Sequence, residues 1–269
     1  MSKVCGIFGL ALKKTVPIAE VFRVLKKMEV HKYPQEKTTL GGYGAGLAVL
    51  LSDGSVFSEK VGKISASPVA SLAEIVKPNL RRGSVLLAHV RMPSPEFMGT
   101  AQYRETTQPY VVEFEPNLII ASVHNGKMTN YKEVRAKLGK EHVFESEKYE
   151  LIDSEVIPHY FEEILNEQEE VQDALNTFFN SLQGPNALSM LQVDEENIFV
   201  HFIHKGKTRG LTIWTNPQGE VVFSSRKEPV VEEFSKLLAK GNFTEKISIA
   251  YHQDISLKIT FPIEWEIKT

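Results

Sequence analysis

Cys5 is the single cysteine of the chain and stands, after four residues, in the string Cys5-Gly6-Ile7-Phe8-Gly9. A cysteine that becomes the first residue of a mature chain carries a nucleophile and a base together. Its thiolate attacks a carbonyl and its free α-amine shuttles the proton. The glycines after it let the backbone come close to a substrate. Taken alone, such a cysteine reads as a small buried thiol on an amino-terminal strand, the commoner fate of this residue type. Its company in the rest of the chain decides between the two.

Four further groups could do chemistry. Arg91, in Ala88-His89-Val90-Arg91-Met92-Pro93-Ser94, follows an apolar run, and a guanidinium there can clamp a carboxylate through two parallel hydrogen bonds. His124-Asn125-Gly126 closes a second apolar run, and an asparagine amide with a glycine N–H can aim two donors at one oxyanion. Alone, Asn-Gly is an ordinary turn. Asp153-Ser154-Glu155 opens a helical pattern, where aspartate is first a cap and could also face a substrate ammonium. Gly41-Gly42-Tyr43-Gly44-Ala45-Gly46 lacks the Gly-Lys-Ser/Thr of a phosphate loop and precedes a strand, so it reads as close backbone packing or a substrate-side loop.

The elements that must position these residues follow from periodicity. Strands are expected over 4–12, 84–90 and 117–123, with a hairpin of 46–51 and 56–61 around Asp53-Gly54, a pair that favours a tight primed turn. Helices are expected over 17–28, 67–76, 130–138, 153–165 and 171–182. Strands return over 187–193, 198–203, 211–215 and 220–224. A helix near 229–239 and a strand-rich tail from Ile247 follow. The order lacks the regular alternation of a doubly wound sheet, so two mainly antiparallel sheets with helices outside them, an α+β fold, fit best.

The 269 residues suffice for a sizeable core, and one domain over 5–269 is the simplest division. The net charge of -3 advertises neither nucleic acid nor an anionic membrane. One cysteine excludes an internal disulfide, and no apolar run reaches the length of a membrane span, so a cytoplasmic location is expected. Nothing calls for a cofactor. His201 and His204 on one strand point to opposite faces and make a poor metal pair, and no metal is expected. His89 and His124 read as core or supporting groups. Glu162, Glu163, Glu167, Glu169 and Glu170 read as a solvated acidic face.

In combination and in order, Cys-Gly-Ile-Phe-Gly, Arg91, Thr107-Gln108-Pro109-Tyr110, His124-Asn125-Gly126 and Asp153-Ser154-Glu155 carry more than any part. From Cys5 to about Arg226 the chain resembles the class II glutamine amidotransferase domain of the N-terminal-nucleophile hydrolases, with Val222-Phe223-Ser224-Ser225 similar to a late strand of that family. The resemblance implies a four-layer αββα sandwich. It implies that Cys5 is the nucleophile toward the glutamine side-chain amide, and that Asn125 and Gly126 form the oxyanion hole. It implies that Arg91, helped by Ser94, holds the substrate carboxylate and that Asp153 holds its ammonium. The chain departs from the family pattern at Met92, Pro93 and Gly44, and in the leader Met1 to Val4, whose removal would free the Cys5 amine. The expected activity is hydrolysis of glutamine to glutamate and ammonia for a partner synthase, with a glutamate synthase as one candidate. A free-standing hydrolase of γ-glutamyl amides and a non-catalytic glutamine-binding subunit are the alternatives.

Overall fold

The computed structural model describes residues 5–114, 118–194, 197–208, 210–249 and 254–262. The leader Met1 to Val4 lies outside them. In chain order the elements are β1 (Gly6–Pro17), α1 (Ile18–Val30), β2 (Gly44–Leu50), β3 (Val56–Gly62), α2 (Pro68–Val76), β4 (Arg82–Val90), β5 (Tyr110–Phe114), β6 (Leu118–Gly126), α3 (Tyr131–Arg135), α4 (Asp153–Glu167), α5 (Val171–Ser181), β7 (Asn186–Val193), β8 (Asn197–Lys205), β9 (Thr212–Thr215), β10 (Val221–Ser224), α6 (Lys227–Lys240), β11 (Thr244–Ser248) and β12 (Ile255–Pro262).

The strands form a seven-stranded sheet in the order β11-β9-β10-β1-β4-β2-β3 and a five-stranded sheet in the order β12-β8-β7-β6-β5. Their pairings are antiparallel. Ile7, Leu87 and Phe223 of the first sheet pack against Val123, Leu191 and Phe202 of the second in one apolar layer. The outer face of the first sheet is covered by α1, α2 and α6 through Phe22, Leu72 and Phe234. The outer face of the second is covered by α3, α4 and α5 through Val134, Phe161 and Phe178. The expected order of layers, helices, sheet, sheet, helices, is therefore present.

β1 is buried on both faces, which explains its near-continuous apolar run. Gly9 is required within it: a Cβ there would meet the Phe223 ring at 2.2 Å and the Leu86 carbonyl at 2.8 Å. The strand outruns its expected end because a register shift between Ala11 and Val16 carries it past the exposed Lys13, Lys14 and Thr15. Other expectations also needed correction. The β2–β3 connection is not a two-residue primed turn: Leu51 N–H bonds Ser55 O at 2.8 Å, Gly54 N–H bonds Leu51 O, and Gly54 takes φ +85°. That is a longer loop whose left-handed residue is the glycine. α3 is half its expected length, and β5 was not anticipated. Among the described residues no helix is long and apolar enough to cross a membrane.

Candidate active site

The antiparallel β1–β4 ladder pairs Gly6 with Val90. One step beyond it, the leading end of β1 brings Cys5 beside Arg91 and Met92, 86 and 87 positions along the chain. Cys5 is half-buried. Its Sγ–H donates to Met92 O at 3.4 Å, and Met92 N–H donates to Sγ at 3.2 Å. Burial pushes the thiol up to about 11, against the Met92 backbone and the Arg91 charge, which favour the thiolate. β1 is pinned at this end from its other side. Ile7 N–H donates to Ser225 Oγ at 2.9 Å, and Ser224 Oγ–H donates to Ile7 O at 3.1 Å.

Arg91 is buried. Nη1 donates to Thr106 Oγ1 at 2.9 Å and Nη2 to Thr100 Oγ1 at 3.0 Å. Two hydroxyls on the segment between β4 and β5 thus fix the guanidinium plane. Gly44 and Gly46 make room for the same segment. A Cβ on Gly44 would meet Thr107 at 2.9 Å, and one on Gly46 the Gln108 carbonyl at 2.3 Å. The glycine-rich loop is therefore a close-packing device beneath the cleft.

Asn125 lies at the end of β6 on the face of Ala121 and Val123, between the two sheets. It is 1% exposed, and among the described residues neither Oδ1 nor Nδ2 has a partner. Gly126 follows with φ +131°, and a Cβ there would stand 2.1 Å from the Pro185 carbonyl, so only glycine fits. The neighbouring His124 faces the other way. Its Nε2 lies 3.0 Å from Asn186 Oδ1, whose Nδ2 donates to the Gln183 and Gly184 carbonyls. The amide oxygen can only accept, so His124 carries its proton on Nε2 and accepts at Nδ1 from Ser154 Oγ–H at 2.9 Å. Gln108 completes the clamp, donating from Nε2 to His124 O and accepting His124 N–H. Burial lowers the histidine's pKa, against Asp153 and Asn186, which raise it. His124 braces the strand that carries Asn125. His89 is wholly buried and pushed down to about 3 by burial and by Arg91, so it stays neutral.

Asp153 is the first residue of α4 rather than its cap. Its Oδ2 accepts Met128 N–H at 2.9 Å and so ties the loop after β6 to the helix. Burial raises its pKa, against His124 and the backbone donors. Glu155 does not face solvent at the helix start. It accepts Glu145 and Ser146 N–H, and burial lifts it to about 7.

Cys5, Arg91, Ser94, Gly126 and Asp153 line one cleft, together with Met92, Phe97, Thr106, Gln108, His124 and Ser154. Of the six site residues expected from the sequence, Asn125 alone is not among those lining the cleft; its side chain faces the layer between the sheets, which also holds Ile7, two residues from Cys5. A cation, an anion, a thiol and a backbone N–H at a φ-positive glycine converge there, the set of groups a zwitterionic amino acid with a reactive amide requires. The thiol donor Met92, the Arg91 braces Thr100 and Thr106, and the roles of Gln108, Ser154 and Asn186 were not read from the sequence. The only signals available were the quoted Gln108 and Ser154 inside recognisable strings. The expected solvated acidic face is corrected in part: Glu167, Glu169 and Glu170 are exposed, whereas Glu162 is 7% exposed and Glu163 bonds the buried His142.

The glutamine amidotransferase domain family model matches residues 98–232. Among curated proteins, the glutamine–fructose-6-phosphate aminotransferase of Sulfurisphaera tokodaii is 29% identical over 202 residues, 72% of this chain and 29% of that protein. That of Pyrobaculum aerophilum is 30% identical over 201 residues, 72% of this chain and 28% of that protein. The chain thus spans less than a third of the length of these relatives. The solved glutamine phosphoribosylpyrophosphate amidotransferase of B. subtilis, complexed with ADP and GMP, superposes with a TM-score of 0.61 at 16% identity, over 98% of this chain and 50% of that one, which shows the shared fold. The chain belongs to the glutamine amidotransferase domain family, in its class II, N-terminal-nucleophile form.

Proposed function

We propose that this amidotransferase domain splits the side-chain amide of glutamine at Cys5, with Arg91, Ser94 and Asp153 as the amino-acid clamp and Asn125 with Gly126 as the oxyanion site. The observation that carries the reading is the convergence of Cys5, Arg91, Gly126 and Asp153, at or just beyond the ends of β1, β4, β6 and α4, on one cleft. Once Met1 to Val4 are removed, the Cys5 α-amine takes the thiol proton and the thiolate attacks the amide carbon. The tetrahedral oxyanion forms against the Gly126 N–H and the Asn125 amide. The amine returns its proton to the leaving nitrogen, ammonia departs, and water hydrolyses the glutamyl thioester to glutamate and free thiol.

The ammonia goes to an acceptor bound elsewhere. The relatives described above are named as fructose-6-phosphate aminotransferases, which favours a sugar phosphate as acceptor over the glutamate synthase that was one candidate partner. The acceptor site lies in a partner or in a region beyond these residues.

Glutamate release from glutamine, measured beside the intact mass of the same preparation, tests the reading. A chain beginning at Cys5 should turn over, and its Cys5→Ala counterpart should be silent while melting within a few degrees of it. Equal turnover of both ends the assignment. Faster release from γ-glutamyl peptides than from glutamine favours the free-standing hydrolase instead.

A further inference from the structure

About 14 Å along α4 from Asp153, at nine residues' rise, lies a second cluster of chemically capable side chains. His142, on the turn after α3, is buried, and its Nε2 stands 2.9 Å from Glu163 Oε1 and 3.8 Å from Glu162 Oε2. Glu141 adds a third carboxylate: ligand atoms of Glu141, His142 and Glu163 all lie within 4.8 Å of one another. The Glu141 carboxylate folds back over Gly139, where a Cβ would come within 1.9 and 2.3 Å of its two oxygens. The missing side chain at 139 gives that carboxylate its place.

The spacing suits a small cation. With bonds of ~2.0–2.1 Å, neighbouring ligand atoms of a tetrahedral site stand roughly 3.3 Å apart, and the two separations from His142 Nε2 bracket that value. The other side of the ring is prepared as well. A metal-bound histidine gives its remaining N–H to a neighbour, and His142 Nδ1 lies 3.1 Å from His159 Nδ1, which can accept it. Three carboxylates converge on this imidazole. Arg135 on α3 is turned to Glu147, at 2.8 Å, and lies over the Phe144 ring.

We propose that Glu141, His142 and Glu163 bind a divalent transition-metal cation, Zn2+ foremost, with Glu162 or water completing the coordination. The imidazole ligand selects against Mg2+, which keeps to oxygen donors in octahedral array. The ion fastens the 139–142 turn to α4, whose first residue lies in the glutamine cleft.

The test is titration of ZnCl2 into the full chain carrying Cys5→Ser, which removes the competing thiol, with heat and melting temperature as readouts. One zinc per chain and a rise of several degrees in melting temperature are expected, with a weaker response to MnCl2 and none to MgCl2. His142→Gln and Glu163→Gln should each weaken zinc binding at least about tenfold. Glu141 is exposed, so Glu141→Gln leaves the fold unchanged and should weaken binding as well. No zinc binding, binding untouched by all three substitutions, or an equal response to MgCl2 overturns the proposal and leaves a plain histidine–carboxylate hydrogen bond.

Discussion

The Cys5 thiol and the Met92 backbone hold each other through two hydrogen bonds, one in each direction. The N–H aimed at sulfur favours the thiolate, yet burial outweighs it, and the thiol is lifted to about 11. With the leader in place the α-nitrogen is an amide and offers no base. The thiol then remains protonated at every pH well below 11. Iodoacetamide labelling of Cys5 in such a chain, followed by mass spectrometry, should accelerate about tenfold per pH unit from 8 to 10 without a plateau. A plateau near pH 8 means that another group already takes the proton.

Asn125→Ala separates catalysis from stability. Loss of one oxyanion donor costs about 10²–10³ in kcat. The same amide is buried with no partner for either polar atom among the described residues. Such groups each cost about 1–3 kcal/mol, so the variant should melt at or above the wild-type temperature. Calorimetry beside turnover decides the matter: a lower melting temperature with unchanged kcat makes Asn125 a structural residue.

The candidate site's polar members were legible because each stands at a recognisable place in a string: Arg91 ends an apolar run, Asn125 precedes a glycine, Asp153 opens a helix. What holds them was not. Thr100 and Thr106 brace Arg91 from nine and fifteen positions away. Gln108 reaches His124 and Ser154 across sixteen and forty-six. No local pattern encodes such partners. The layer order followed from element order, whereas the short β5 at a sheet edge left too few residues for a period to show. The carboxylates at 162 and 163 looked solvated because the histidine they meet is twenty positions away on another element.

Asp153→Asn should raise the KM for glutamine at least about tenfold while keeping the fold, since the amide oxygen can still accept Met128 N–H. The pH dependence follows from its raised pKa. A buried carboxyl with a folded pKa above its unfolded value favours the fold when protonated, and this contribution fades as pH rises through the folded value. At neutral pH the asparagine form should therefore melt no lower than wild type, and its relative stability should decline as pH falls through the carboxylate range. A substrate analogue without the α-amine should bind both forms alike. Normal glutamine binding by the variant removes Asp153 from recognition.

Arg91→Lys keeps the charge and discards the fork. A lysine cannot reach both the Thr100 and Thr106 hydroxyls in one plane, nor present two parallel donors to a carboxylate. KM for glutamine should rise by an order of magnitude or more, with a smaller fall in melting temperature. Steady-state kinetics at saturating and limiting glutamine, run beside thermal melts, will show which effect dominates. A fall in melting temperature with unaltered KM identifies Arg91 as a strut.

β1 is fourth in its sheet of seven, and the groups that pin Ile7 belong to Ser224 and Ser225, more than two hundred positions further on. During synthesis the thiol is thus made long before the floor on which it stands. Until residues 221–225 emerge, β1 is an unfinished edge beside β4, and Cys5 and Arg91 have no fixed spacing. A chain cut short of Val221 retains every residue of the proposed clamp but loses the strand and the two serines that hold β1 beside β4. On the proposed reading, ammonia release should therefore need a chain completed at least that far.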